Sequence, residues 1–337
     1  MQRYIIDGKW GLENLKQVQS PDPTPDPGEV VVAVKACSLN YRDWLMVQGK
    51  YNPRLALPFV PLSDGAGEVI AIGDGVTRVQ VGDRVAGIFN QSWEAGEPSH
   101  ERLRTTLGGP LDGMLTQRAL LPERGVIRVP DHLSWEQAAT LPCAGVTAWS
   151  AISKYGNLKP GETVLLQGTG GVSIFALQFA KLFGARVIIT SSSDEKLARA
   201  KELGADETIN YNDNPDWHKA VRALTGNVGV DHVVEVGGAG TLEKSLKAAR
   251  IGGSIYVIGV LAGNASPLNI LPILMSTIRL QGITVGSRDD FEAMNRAISA
   301  GGIEPVVDKV FEFGDAVAAF EHLASGRHFG KVVVRVS

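Results

Sequence analysis

The stretch that most restricts the fold runs from Thr163 to Ser173, TVLLQGTGGVS, where an apolar strand turns through Gly168-Thr169-Gly170-Gly171 and passes at once into the helical pattern GVSIFALQFAKLFG. Such a junction exposes backbone N–H groups at a helix N-terminus and keeps side chains out of the way of an anion. A second strand, ARVIIT, follows at the spacing of the dinucleotide-binding fingerprint, so a nucleotide is the expected ligand. Ser173 stands where that fingerprint has its third glycine, and a small residue still packs there. Strands and helices keep alternating through DEKLARAKELG, ETIN, DHVVEV and SIYVIG, which predicts a parallel, doubly wound sheet.

The first third of the chain has a different texture. SPDPTPDPG, residues 20–28, cannot pair inside a sheet and is expected to be an extended surface connection. EVVVAVKACSLN and GEVIAIGDGVTRVQVGDRVAGI are β-branched runs broken by glycine and aspartate turns, so the region is predicted to be β-rich. Asn90–Asp112 shows no helical or alternating period and is expected to be a functional loop. Helical spacing takes over at Ser134, a candidate N-cap with Gln137 three residues on, and the tail KVVVRVS is a bare strand expected to rejoin the first domain.

Bulk properties exclude several functions. A chain of 337 residues with 44% apolar and 20% charged residues suits a soluble, two-domain protein. A net charge of -3 without a basic run gives no footing for nucleic acid. No segment approaches the length of a membrane span or has the pattern of a secretory signal, so a cytoplasmic protein without a membrane partner is expected. Cys37 and Cys143, far apart, cannot form a four-thiolate zinc cluster.

At the end of the second strand an acid would bind the ribose of NAD, but the chain reads TSSSDEK. The hydroxyls of Ser191 and Ser192 suit a 2′-phosphate, with Lys196 as its counter-charge. NADP is therefore expected over NAD, although Asp194 and Glu195, natural in a first helical turn, leave NAD possible.

Several motifs together carry a resemblance that runs from end to end: PDPGEVVVAVKACSLNYRDWLMVQGKY, PLSDGAGEVIAIGDGVTRVQVGDRV, LPCAGVTAWSAI, the glycine-loop unit through GADETINY, and HFGKVVVRV. The chain resembles the medium-chain dehydrogenase/reductase superfamily. The resemblance implies an α/β protein with a GroES-like β-rich catalytic domain, 1–125 and 290–337, and a Rossmann domain, 126–289, with the active site in the cleft between them. In zinc alcohol dehydrogenases of that superfamily the catalytic metal is held by a cysteine, a histidine and a second cysteine. The matching positions here are Asn40, Ser63 and Cys143, and the structural four-cysteine lobe is replaced by the Asn90–Asp112 loop. The chain is thus similar to the zinc-free branch of quinone oxidoreductases and related enone and enal reductases.

The same resemblance places Asn40 and Thr147 near a nicotinamide ring and Tyr41 at a pyrophosphate contact, alongside Gly168, Thr169, Gly170, Gly171 and Val172. It places Lys196 and Tyr211 beside a 2′-phosphate, Gly259 and Val260 beneath the nicotinamide, and Gly330 and Lys331 at a C-terminal turn approaching the cofactor. IRLQGITVGSR resembles a strand that pairs two subunits, and a homodimer is expected. Without a metal, protein groups must polarise the acceptor and supply a proton. Tyr51 is the first candidate donor, Asn40 and Asp64 line the site, and the stronger reading of Asp64 is a turn residue at a strand entry. Asp43 is expected to pair internally with Arg42, His100 to be solvated, and Cys143 to be a small packed residue. The expected activity is NADPH-dependent reduction of a quinone or conjugated enone or enal. Alcohol/aldehyde interconversion and a cofactor-binding protein with little turnover are the alternatives.

Overall fold

The computed structural model describes residues 1–336. Among these, the strands follow in the order β1 (Gln2–Ile6), β2 (Leu15–Gln19), β3 (Glu29–Leu39), β4 (Asp64–Ile72), β5 (Arg84–Gly87), β6 (Arg118–Pro122), β7 (Val126–Arg128), β8 (Thr163–Gln167), β9 (Arg186–Ser191), β10 (Glu207–Asn210), β11 (Val230–Glu235), β12 (Ala249–Val257), β13 (Arg279–Gly282), β14 (Val307–Glu312) and β15 (Lys331–Arg335). They fall into two compact units, one of Met1–Val146 with the chain from Gly286 onward, the other Thr147–Val285.

The first unit is the GroES-like one. Its main sheet has the order β14-β15-β3-β4-β5-β7, with β6 also pairing β3. The eleven-residue strand EVVVAVKACSL is its spine: the N-terminal half pairs β6 and the C-terminal half pairs β15, both antiparallel, while β4 runs along the other side. A strand flanked on both sides buries nearly everything it carries, which is why its β-branched run is almost unbroken. Val32, Val34, Leu39, Val69, Phe320 and Val332 are core residues of this unit, and Tyr4 meets Phe313 edge to face with ring centroids 5.1 Å apart. The β7 strand pairs antiparallel with β5, so residues 126–128 belong to this sheet, and the expected domain boundary at 125/126 moves to 146/147. A three-residue strand is too short to declare its sheet from its own pattern.

The loop 90–112 departs from its expected irregularity. It contains a helical turn, His100–Leu103, capped by the Ser99 hydroxyl, and it is anchored by a buried Trp93 whose Nε1 donates to Gly96 O at 3.0 Å. The helix predicted from Ser134 opens with a capping box in which Gln137 N donates to Ser134 Oγ and Ser134 N to Gln137 Oε1.

The second unit is a six-stranded parallel sheet in the order β10-β9-β8-β11-β12-β13. Counted from β8, this is the 3-2-1-4-5-6 order of a Rossmann sheet, whose topological switch point lies between β8 and β11. Ligands bind at the carboxyl ends of strands at such a point, which are Gln167 and Glu235 here.

Candidate active site

Three strand ends meet in the first unit. The register Ser38↔Asp64 brings the start of β4 beside the end of β3, and Val332↔Leu39 brings the start of β15 to the same place. Asn40, one residue past β3, thus faces Ser63, Asp64 and Lys331, all of them buried. The Lys331 ammonium donates to Leu39 O at 2.6 Å and to Asn40 Oδ1. Asn40 Nδ2 donates to Ser63 Oγ at 3.4 Å, Ser63 Oγ–H to Asp64 Oδ1 at 2.7 Å, and the Cys143 backbone N–H to Asp64 Oδ2 at 3.1 Å.

Asp43 closes the group from below. Its Oδ2 accepts the Asn40 N–H at 2.8 Å, fixing the N-terminus of the helix Tyr41–Val47, and its Oδ1 lies 3.3 Å from Arg42 Nη1. This is the internal pair expected of Asp43 and Arg42.

Asp64 stands at the strand entry, as the first residue of β4, and its carboxyl is fully buried. Burial raises its pKa from 3.8 to about 6, against the lowering influence of Lys331 and with a smaller upward push from Asp43. Burial likewise raises Asp43, opposed by Arg42. Because Asp64 binds its proton more tightly when folded, it adds nothing below its unfolded pKa near 4. It then costs stability progressively until the pH passes about 6, in all about 3 kcal/mol. Asp64→Asn removes that dependence. Denaturant melts of both proteins from pH 4 to pH 8 are expected to show parent stability falling relative to the variant as pH rises, and parallel curves would exclude the assignment.

Tyr51 joins the cluster through Arg42. The Arg42 guanidinium lies 5.4 Å from the Tyr51 ring centroid and 5.2 Å from that of Phe89, and donates to the carbonyls of Leu107, Gly108 and Gly109. Arg42, Tyr51, Phe89 and Gly109, with Asn52, Arg104 and Thr106, line a cavity of about 520 Å³, and Tyr51 is mostly exposed beside it. His100 is exposed on the loop. Cys143 is half-buried, and burial followed by the Asp64 charge pushes its thiol pKa up, so it is no ready nucleophile.

In the second unit Gly168 has φ +66°, a conformation that an L side chain strains to adopt, and Gly170 is the N-cap of the helix Gly171–Leu182. A Cβ at either glycine would meet nothing within 4 Å, so the space ahead of the helix N-terminus is open, as a pyrophosphate requires. Thr169 is buried in this loop, and Ser173 Oγ–H donates to Gln167 O at 2.6 Å, locking helix to strand. Ser191 ends β9, Ser192 is exposed beside it, and Tyr211 N–H donates to Ser191 O at 3.0 Å, so Ser191, Ser192 and Tyr211 share one edge, with Lys196 in the first turn of the next helix. The Asp194 carboxylate there is engaged by Asn210 Nδ2 at 2.8 Å. Gly259 packs so closely on Val236 that a Cβ would lie 2.3 Å from its carbonyl oxygen, Val260 is half exposed, Thr147 is buried and Tyr41 is partly exposed. Gly330, with φ +80°, turns the chain into β15, which delivers Lys331 to Asn40.

Sequence reasoning missed Glu235. At the end of β11 this buried carboxylate accepts from Gln167 Nε2, Ser245 Oγ, Thr241 Oγ1 and the N–H groups of Gly237 and Gly238. The signal available was an acid closing an apolar strand and separated by one valine from two glycines.

The donors at the positions of a catalytic zinc do not suit that ion. The Asn40 oxygen already holds an ammonium, Ser63 offers a hydroxyl bonded to Asp64, and the Cys143 thiol is driven toward its protonated form. No cluster of three or more His, Cys, Asp or Glu side chains able to hold a metal occurs among the described residues.

Known proteins share both units. The family model described as alcohol dehydrogenase GroES-like domain matches residues 26–131, and that described as zinc-binding dehydrogenase matches 171–300. The chain is 43% identical to a zinc-type alcohol dehydrogenase-like protein of Schizosaccharomyces pombe over 99% of both chains. It is 32% identical to an acryloyl-coenzyme A reductase of Metallosphaera sedula over 99% of both. Among solved structures, one from Sinorhizobium meliloti 1021, described as a candidate alcohol dehydrogenase, superposes with a TM-score of 0.91 at 42% identity over 100% of both chains. An NAD-dependent alcohol dehydrogenase gives 0.92 at 36% over 100% of both, and a mycobacterial protein complexed with NADPH gives 0.82 at 27% over 100% of both. Shared from end to end with such relatives, the GroES-like sheet and the Rossmann sheet make this chain an oxidoreductase of the medium-chain dehydrogenase/reductase superfamily.

Proposed function

We propose that this chain is a metal-independent, NADPH-dependent reductase of conjugated carbonyl compounds, either quinones or enones and enals. The observation that carries the reading is the hydrogen-bonded set Lys331–Asn40–Ser63–Asp64 at the positions where zinc-holding relatives keep their ligands. The likeness to an acryloyl-coenzyme A reductase supports a conjugated carbonyl as the substrate class.

When bound, the nicotinamide cofactor supplies the hydride. Residues Gly168–Val172 hold its pyrophosphate against the helix N-terminus, with Tyr41 as a further contact. Thr147, Gly259 and Val260 border its ring, and Gly330 shapes the turn that delivers Lys331. Ser191, Ser192, Lys196 and Tyr211 receive a 2′-phosphate. The engagement of Asp194 by Asn210 supports NADP over NAD, because it occupies the first of the two acids, Asp194 and Glu195, that could take a ribose hydroxyl. In the other unit Asn40 borders the reacting group with Asp64 beside it, and the Tyr51 hydroxyl donates a proton to the oxygen that gains charge. The arrangement needs no metal to offset charge, since Arg42 and Lys331 face Asp43 and Asp64.

Steady-state oxidation of NADPH against quinones, enones, enals and simple aldehydes tests the reading. Turnover of the conjugated acceptors, with NADPH preferred to NADH by at least about tenfold, is expected. Turnover of simple aldehydes alone would shift the assignment to alcohol/aldehyde interconversion. Tight cofactor binding without any turnover would make the chain a binding protein.

A homodimer is part of the same proposal. Among the described residues β13 ends the second sheet with one edge unpaired, and Leu271, Leu274 and Met275 lie exposed on the short helix that precedes it. Sedimentation at micromolar concentration is expected to give twice the chain mass, and a monomer there would exclude the pairing.

A further inference from the structure

We propose that the Lys331 ammonium is the resident cation of the catalytic unit: it supplies the positive charge that a metal brings to zinc-holding relatives, sets the orientation of the Asn40 amide, and keeps a divalent ion out. The inference rests on the metal-independent reading above and adds the agent responsible for it.

A lysine is rarely buried without compensation, yet Lys331 is only 3% exposed. Its place is set by strand register: β15 starts at Lys331, and Val332 is opposite Leu39, so the side chain reaches the carbonyl of Leu39 and the amide of Asn40. An ammonium can only donate, so the Asn40 group facing it must be the oxygen, and Nδ2 must face Ser63. Ser63 in turn gives its proton to the Asp64 carboxylate. The chain Lys331→Asn40→Ser63→Asp64 therefore has one direction, fixed at its cationic end. Asn40 Nδ2 carries two N–H groups, and both Ser63 Oγ and the Asp64 carboxylate draw on them, so the amide is held at each end. Lys331 is thus a positioning residue that acts through Asn40.

The charges of the cluster also close. Arg42 and Lys331 carry two positive charges, and Asp43 and Asp64 carry two negative ones when ionised. Cys37 and Cys143, the other titratable groups that sense Asp64, are held as neutral thiols by burial. A divalent ion added to this set would leave two uncompensated charges. In a cysteine–histidine–cysteine site two thiolates offset them, but Asn40 and Ser63 are neutral. Lys331 and a metal are alternatives for one position in the electrostatics.

Restoring the donors separates the two ideas. In Asn40→Cys/Ser63→His, with Cys143 present, Lys331 is expected to hold zinc after equilibration and desalting below about a tenth of an ion per chain, and adding Lys331→Met to raise it to about one. Equal occupancy in the double and triple variants, high or low, would overturn the role of Lys331. A full zinc in the unmutated chain would instead overturn the metal-independent reading. A thermal cycle at pH 8 does not depend on building a metal site. Asp64→Asn is expected to be more favourable by roughly 3–5 °C in the Lys331→Met background than in the parent, because the carboxylate has lost its counter-charge. If Lys331→Met alone does not fold, recovery of folding on adding Asp64→Asn is the expected result. Additive shifts in melting temperature, or no recovery, would overturn the pairing.

Discussion

Replacing Gly170 by aspartate is expected to weaken NADPH binding on the order of 100-fold while leaving the melting temperature within about 2 °C of the parent value or above it. The two halves of this expectation come from the same geometry. Gly170 is the N-cap of the helix Gly171–Leu182, its φ of -77° and ψ of 178° are open to any residue, and a Cβ there meets no atom within 4 Å. Aspartate is among the favoured N-cap residues, so the fold accepts it or gains a few tenths of a kcal/mol. The position left open is the one a pyrophosphate would take, and a carboxylate placed there fills the space and repels the ligand. Calorimetric titration with NADPH beside a thermal melt reads both quantities. Unchanged affinity would mean that the nucleotide is not held by this helix N-terminus, and a collapse in melting temperature would mean that the space is not open.

The second large effect concerns Glu235. Five donors converge on its two oxygens, from Gln167, Gly237, Gly238, Thr241 and Ser245. Glu235→Ala leaves Ser245 Oγ–H and the Gly238 N–H without their acceptor in a fully buried place and leaves Gln167, Gly237 and Thr241 only their second acceptors, and a loss on the order of 3–5 kcal/mol is expected. Because three of the donors lie in the segment 237–241, the loss is expected to appear locally as faster amide exchange there. Denaturant unfolding together with hydrogen exchange checks both. A loss below about 1 kcal/mol would show that the donors find other partners, and unaltered exchange in 237–241 would show that the carboxylate does not hold this loop.

Local pattern accounts for what could be read without a structure. The glycine loop after TVLLQ, the alternation that follows it and the β-branched spine EVVVAVKACSL each declare themselves within a dozen residues, and each element formed where its pattern lies. The site in the first unit is made differently. Lys331 and Asn40 are 291 residues apart, and their meeting depends on β15 pairing with β3 in one register, which no window of sequence displays. Lys331 was therefore legible as part of a C-terminal turn, but not as the partner of the Asn40 amide. Asp64 was ambiguous for a similar reason. Flanking glycine and serine resemble a turn, whereas the pairing with Ser38 carries the carboxyl inside, where burial raises its pKa to about 6. Glu235 was overlooked because an acid at a strand end usually reaches solvent, and only its five donors reveal that it does not.

The central claim is that this oxidoreductase works without a metal, and the measurement nearest to it is NADPH oxidation by protein dialysed against a strong chelator, with metal content determined on the same sample. Metal content far below one ion per chain with turnover of a conjugated carbonyl undiminished is the expected result. Activity that disappears on chelation and returns with added zinc would contradict the account.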